Sequence, residues 1–391
     1  MKKWYSFIPA CIFLMIGFSF LSESSVAQDS SHIRISLLTC TPGEELYSTF
    51  GHTAIRVVDS SSVTDNVFNY GTFDFDAPGF YTKFIRGKLL YYLSAERFDS
   101  FKYNYQSSNR GITEQVLNLT AVEKINIMEA LYDNLKEDKK YYKYDFFFDN
   151  CTTRPRDILV NYKKNYPAFN AVMPAGTRFR QAIHQYLDQN GKDWSKLGID
   201  LLLGAPTDAV MSTTQSQFLP DNLMKTLDSS NEAHQWVIST SSLYELNPAN
   251  NNQSFFTPLM VFSLLLIGII VAGFVKSNRV KNLLQGFDGL FFFLSGALGI
   301  LLLFMWTGTD HAMCKNNFNL LWAWPTHAII AFFVNSKRDW VKKYFTFTSI
   351  AMVLVLLSWF FLPQQMNNAF IPIILLLIYR STTKIFNSRP D

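Results

Sequence analysis

Cys151 lies in the segment FDNCTTRPRD, between an aromatic run and the start of a helical pattern. A thiol placed there can be a nucleophile, half of a disulfide or a packing group. Its ordinary pKa is about 8.5, and unpaired N–H groups at a helix N-terminus favour the thiolate. A neighbouring imidazole lowers that value further and carries the proton. The same N–H groups can stabilise the oxyanion formed when a thiolate attacks an acyl carbon. Partners for such chemistry are few, because the chain has four cysteines and six histidines. His52 follows Gly51 at the entrance of a β-branched segment and is the best candidate base. It could equally be a hydrogen-bonded structural residue, so the pairing with Cys151 carries the argument. His184 falls in a helical stretch and His234 in a polar one, where surface or packing roles are expected; His32 is close to the processed terminus. Asn69, one strand further on, suits the group that orients His52, with Asp74 and Asp76 as alternatives. A Cys40–Cys151 disulfide is the competing reading.

The elements that must position these residues emerge from pattern. Ile33 to Leu38, Thr53 to Val58 and Val67 to Phe73 read as strands, so His52 and Asn69 fall on successive antiparallel strands. Thr120 and Glu123 have capping-box spacing, and Ile125, Met128, Leu131 and Leu135 give the helix after them one apolar face. Tyr141 to Phe148 reads as extended. A helix then starts near Asn150, with Asp149 or Asn150 as its cap, and places Cys151 in the first turn.

The two ends of the chain set the compartment. Met1-Lys2-Lys3, an apolar stretch to about Leu21 and the small residues Ser25-Val26-Ala27 form a leader over 1–27; cleaved or kept as an anchor, it exports the segment from residue 28 onward. Cys11 lies within it. From Pro258 onward come apolar runs at Pro258 to Val275, Phe287 to Trp306, Phe318 to Val334, Phe345 to Leu362 and, shorter, Ala369 to Tyr379. Spanning helices need roughly 17–25 residues, so about five transmembrane helices are expected. Basic residues come after the first, third and fifth runs (Lys276 and Arg279; Lys337 and Arg338; Arg380 and Lys384), while the other two links carry only Lys315 or no charge. That asymmetry puts 28–255 on the periplasmic side of the cytoplasmic membrane, with 256–391 as a multi-helix membrane domain. The net charge of +4 is largely accounted for by those inner loops and implies no nucleic-acid partner. No zinc spacing or phosphate-binding glycine loop is present, so no metal or cofactor is expected.

The order of His52 on a strand, a polar residue one strand later and Asn150-Cys151 at a helix start resembles the circularly permuted, NlpC/P60-type papain-like fold. FGHTAIRV (Phe50 to Val57), FNYGTFDF (Phe68 to Phe75), YKYDFFFDNCTTRPRDIL (Tyr142 to Leu159) and FLPDNLM (Phe218 to Met224) resemble more closely the exported domain of the Lnb family, lipoprotein N-acyltransferases of the Bacteroides type. TDHAMCKNNFNLLWAWP (Thr309 to Pro325) is similar to that family's membrane domain. The resulting fold class is α+β, a permuted papain-like exported domain followed by an all-α membrane domain.

The resemblance implies transfer of an acyl chain from a membrane phospholipid, through a Cys151 thioester, to the α-amino group of a diacylglyceryl-modified lipoprotein. Cys151, His52 and Asn69 would be catalytic. Asn150, Arg154, Asp310, His311 and Asn319 would contact substrate, although Arg154 also suits a salt-bridged helix surface. Two other classes stay open. A membrane-bound hydrolase, acting on lipid amides or cell-wall peptides, would use the same residues with water as acceptor. A non-enzymatic exported binding module would have no need of the thiol–imidazole pair.

Overall fold

The computed structural model describes residues 32–164, 168–229, 235–245 and 255–386. The leader expected over 1–27, with Cys11, and His234 lie outside the described residues. The chain runs β1 Ile33–Cys40, β2 His52–Asp59, β3 Thr64–Thr72, α1 Phe80–Ile85, β4 Leu90–Arg97, α2 Phe98–Ser107, β5 Ile112–Leu117, α3 Ala121–Asn134 and β6 Tyr141–Lys143. It continues through α4 Thr153–Tyr162, α5 Phe179–Gln189, α6 Asp193–Leu202, α7 Thr213–Ser216, α8 Pro220–Asp228 and β7 Val237–Tyr244. The strands form one antiparallel sheet in the order β6-β4-β3-β2-β1-β5-β7.

Period-two alternation gives this sheet two different faces. Ile35, Leu37, Ile55, Val57, Phe68 and Tyr70 share a core with Ile127 and Leu131 of α3 and Ile158 and Leu159 of α4. Leu38, Cys40, Ala54 and Val67 pack with Phe98 and Phe101 of α2 on the other side. Burying one such side chain contributes about 1.5–3 kcal/mol. The expected capping box is present: Glu123 N–H donates to Thr120 Oγ1 at 3.4 Å, and Thr120 N–H donates to Glu123 Oε2 at 2.8 Å.

The C-terminal part contains α9 Pro258–Gly273, α10 Asn278–Thr307, α11 His327–Ile330, α12 Asp339–Ser358 and α13 Phe370–Phe386. Among the described residues two helices are long and apolar enough to cross a membrane: α10, with 30 residues, and the 23-residue stretch Asp339–Phe361 that α12 begins. Of the five spanning helices expected, these two have the full length. Helices α9 and α13 are shorter, at 16 and 17 residues, and the third apolar run breaks into Phe318–Leu321, α11 and Ala331–Phe333. Pro325, which lacks an N–H, interrupts that run. Its backbone lies so close to α10 that a Cβ on Gly296 would come 1.9 Å from Ala328 N. Leu264 of α9, Leu294 of α10 and Leu357 of α12 stay exposed, an outward apolar surface suited to lipid.

Helix α6 joins the two parts. The last carbonyls of a helix have no partner within it, and here the membrane part supplies them. Asn319 Nδ2 donates to the Asp200 and Leu201 carbonyls at 3.0 and 3.1 Å, Asn317 Nδ2 to Leu201 and Leu202 at 2.8 and 3.1 Å, and Gln364 Nε2 to Leu203 at 3.1 Å.

Candidate active site

The β2–β3 ladder ends at the Ile55–Phe68 pair, although both strands continue beyond it. The turn carrying Cys151 fits at this opening. Gly71, with φ of +89°, leaves only 3.3 Å between an added Cβ and Cys151 Cβ. On the β2 side, Thr53 N–H lies near the sulfur and helps to lower its pKa, and Thr53 Oγ1 is 3.2 Å from Thr152 Oγ1. Regular helix begins at Thr153, so Cys151 occupies the capping turn just ahead of it. Asn150 organises that turn: its Oδ1 accepts from the N–H groups of Thr152 and Thr153, each at 2.8 Å, and its carbonyl accepts from Arg154 N–H. Two of the helix-start donors expected to face an oxyanion are thus engaged by Asn150. The N-cap expected at Asp149 or Asn150 is instead Thr152, which makes no side-chain cap hydrogen bond, while Asn150 holds the turn ahead of it.

His52 and Cys151 lie close enough that each shifts the titration of the other. His52 Nε2 lies 3.1 Å from Asn69 Oδ1, which leaves Nδ1 for the sulfur. Asn69 Nδ2 in turn donates to Glu96 Oε1 at 3.1 Å. An ionised carboxylate only accepts, so the Asn69 amide nitrogen must face Glu96 and its oxygen must face His52. His52 therefore carries hydrogen on Nε2. Asp74 and Asp76 are exposed in the following turn and take no part.

Electrostatics within this line move both groups toward their charged forms. Burial by itself raises the Cys151 pKa, but the charge and hydrogen bond of His52, with the Thr53 N–H, outweigh it and hold the thiol below its ordinary 9.0. Burial likewise lowers the His52 pKa, and attraction to Cys151 with the Cys151 and Asn69 hydrogen bonds brings it above 6.5. Cys40 behaves oppositely: full burial pushes its thiol up to about 12. Cys40, Cys151 and Cys314 are all free thiols, so the competing disulfide is absent.

Of the other expected site residues, Asn150 is buried and holds the turn that carries Cys151. Arg154 makes two bonds to Asp149, at 2.6 and 2.8 Å, and lies 3.4 Å over the Tyr142 ring. Asp310 Oδ2 accepts from Lys143 Nζ at 3.1 Å, and His311 Nε2 is 3.1 Å from the Phe84 carbonyl. These two residues dock the membrane part against the sheet domain. Asn319 is completely buried under α6, so the expected substrate contact is replaced by the capping role described above. His184, 2.8 Å from Asp200, belongs to a buried structural network with Arg180.

Sequence reasoning missed Glu96 and Tyr144. Tyr144 flanks Gly71 beside Cys151 and stacks on Tyr91, with ring centroids 4.4 Å apart. Glu96 faces Val67 across β3 and β4, and strand pairing was the one signal that could have found it. Among the described residues no group of three or more His, Cys, Asp or Glu side chains could hold a metal ion.

A mixed α/β domain bearing this site, joined to a set of apolar helices, defines a membrane protein with a periplasmic part. Residues 23–182 match the family described as the Lnb N-terminal periplasmic domain, and residues 250–389 match the Lnb transmembrane domain. Between them the two matches span most of the sequence, and the chain belongs to the Lnb family. No curated protein and no solved structure matches it.

Proposed function

We propose that the protein is a lipoprotein N-acyltransferase, multi-pass in the cytoplasmic membrane, with its reaction centre on the periplasmic side. The observation that carries this reading is the line Cys151–His52–Asn69, in which His52 is bonded to Asn69 and adjoins the thiol, set in a domain whose α6 is capped by the membrane part. Family membership supports an acyltransferase-like role. Mooring the reaction to membrane helices suits two substrates that both hold chains in the bilayer.

The charge state of the pair dictates the chemistry. The Cys151 thiolate attacks the ester carbonyl of a phospholipid, forming a C–S bond. The ester C–O bond then breaks, and the lysophospholipid leaves with the proton of the His52 imidazolium. Neutral His52 next takes a proton from the α-amino group of the diacylglyceryl-modified cysteine as that nitrogen attacks the thioester. The C–S bond breaks, releasing the amide and restoring the thiolate–imidazolium pair. Asn69 holds the ring in the tautomer both steps require. A thioester reacts readily with amines and the amide product is more stable, so the second transfer runs downhill.

Mass spectrometry of lipoprotein N-termini tests this in cells whose only copy is intact protein, Cys151→Ala or His52→Ala. The third acyl chain is expected with intact protein and absent with either variant. Triacylated lipoproteins in the Cys151→Ala cells, with no other transferase present, would sink the proposal.

A further inference from the structure

Helix α1 places exposed aromatic and aliphatic groups beside the membrane part. Tyr81 is 73% exposed, Phe84 50% and Ile85 46%, which is unusual for three large apolar side chains within five residues. The position of α1 is fixed by the loop that directly follows the spanning helix α10. Asp310 N–H donates to the Arg86 carbonyl at 3.0 Å, and His311 meets the Phe84 carbonyl. A segment tied to the end of a spanning helix sits at the membrane boundary. Lys83, Arg86 and Lys88 are exposed around it, and no carboxylate pairs with Lys83 or Arg86 among the described residues.

The same apolar surface leads inward. Phe84 and Phe80 stack with centroids 6.1 Å apart, Phe80 lies 6.0 Å from Phe73, Phe73 5.3 Å from Tyr91, and Tyr91 4.4 Å from Tyr144. Tyr144 Cε2 and Cys151 Cβ then flank Gly71 together, each 3.3 Å from where its Cβ would stand. Phe73, Tyr91 and Tyr144 each keep part of their surface open. Contiguous rings at these spacings form an apolar wall from the exposed helix to the sulfur.

We infer that α1 is an interfacial lipid-loading element. A membrane phospholipid docks with its phosphate against Lys83 and Arg86 and its acyl ester directed along the Phe84–Phe73–Tyr144 wall to Cys151. This rests on the thioester reading of Cys151. Cation and apolar face on one short element match the two ends of such a ligand, a charged phosphate and a hydrocarbon chain.

The test uses the full-length protein in nanodiscs of anionic phospholipid. A photoreactive benzophenone amino acid replaces Phe84 or, as control, Val63, an exposed residue at the far end of the β2–β3 hairpin. Crosslinking to phospholipid is expected at position 84 and not at 63; no crosslink at 84, or equal crosslinking at both, overturns the docking. Acylation of Cys151 is then followed with two donors, nanodisc phospholipid and a water-soluble short-chain p-nitrophenyl ester. The variant Phe84→Glu/Ile85→Glu is expected to lose about tenfold with phospholipid and little with the soluble ester. Loss with neither donor overturns the route while leaving the acyl-carrier reading standing. Equal loss with both donors also overturns it, because the helix would then be supporting the site. If intact protein is acylated by neither donor, the thioester reading falls and the loading route with it.

Discussion

Glu96 decides which way round Asn69 sits. The Asn69 amide nitrogen donates to the Glu96 carboxylate at 3.1 Å, and its oxygen is thereby committed to His52 at the same distance. Replacing Glu96 by Gln lets the amide turn over, since a glutamine can donate as well as accept. The fold is expected to survive, because the carboxylate is not in either apolar core. The rate of Cys151 acylation is expected to fall about tenfold, equivalent to about 1.4 kcal/mol. A purely structural role would leave the pH profile in place, whereas loss of imidazole orientation moves it. An unchanged rate and profile in Glu96→Gln would remove Glu96 from the mechanism.

Alkylation of Cys151 by iodoacetamide should report its ionisation directly. With the thiol pKa lowered by its surroundings, reactivity is lost as pH falls through that depressed value. His52→Ala removes the stabilising charge while burial remains, so the limb should move to higher pH. For the acyl-transfer reaction the profile is a bell. Its acid limb follows thiolate protonation, and its alkaline limb follows loss of the imidazolium proton at a pH above 6.5. A limb that stays where it is in His52→Ala would show that His52 does not tune the thiol.

Gly71→Ala acts on the same sulfur by shape. An L-residue at φ of +89° costs about 1–2 kcal/mol, and its Cβ would press on Cys151 Cβ and Tyr144 Cε2, both at 3.3 Å. Reduced alkylation at Cys151, with a melting temperature lowered by only a few degrees, is the expected result. Full reactivity would mean that the opening beyond the Ile55–Phe68 pair tolerates the extra methyl group.

Asn319→Ala separates a joint from a ligand contact. The truncation strands the Asp200 carbonyl and the Trp322 indole N–H, which donates to Asn319 Oδ1 at 3.1 Å, while the Leu201 carbonyl keeps its bond from Asn317 Nδ2. Each buried orphan costs about 1–3 kcal/mol. Thermal melting in detergent should fall clearly, with the KM for phospholipid unchanged in the protein that stays folded. A raised KM with normal melting would restore the substrate contact expected from sequence.

Local rules carried the sequence reading far in the sheet domain. Strands alternate visibly, the Thr120–Glu123 box is a four-residue signal, and the scarcity of histidine singled out His52. Glu96 was hidden because its role depends on which strands pair, a long-range fact that one strand's residues do not encode. The helix start was misplaced by two residues because Asn150 caps a non-helical turn, and cap geometry is not written in residue type alone. The third apolar run misled for a different reason. Length and hydropathy cannot distinguish a spanning helix from short helical pieces pressed against α10, and only Pro325 hinted at the break. Asn319 looked like an interfacial ligand because its true partners lie 119 and 118 positions earlier in the chain.

That last separation bears on biogenesis. Asn317 and Asn319 reach the carbonyls of α6 from more than a hundred residues downstream, across the whole of α9 and α10. During synthesis α6 is made and exported well before those side chains exist. Its end must stay hydrated until the membrane helices have been inserted and have brought their amides alongside. The end of α6 is therefore completed only by side chains made after α9 and α10, which ties the packing of the sheet domain to the presence of its helical neighbour.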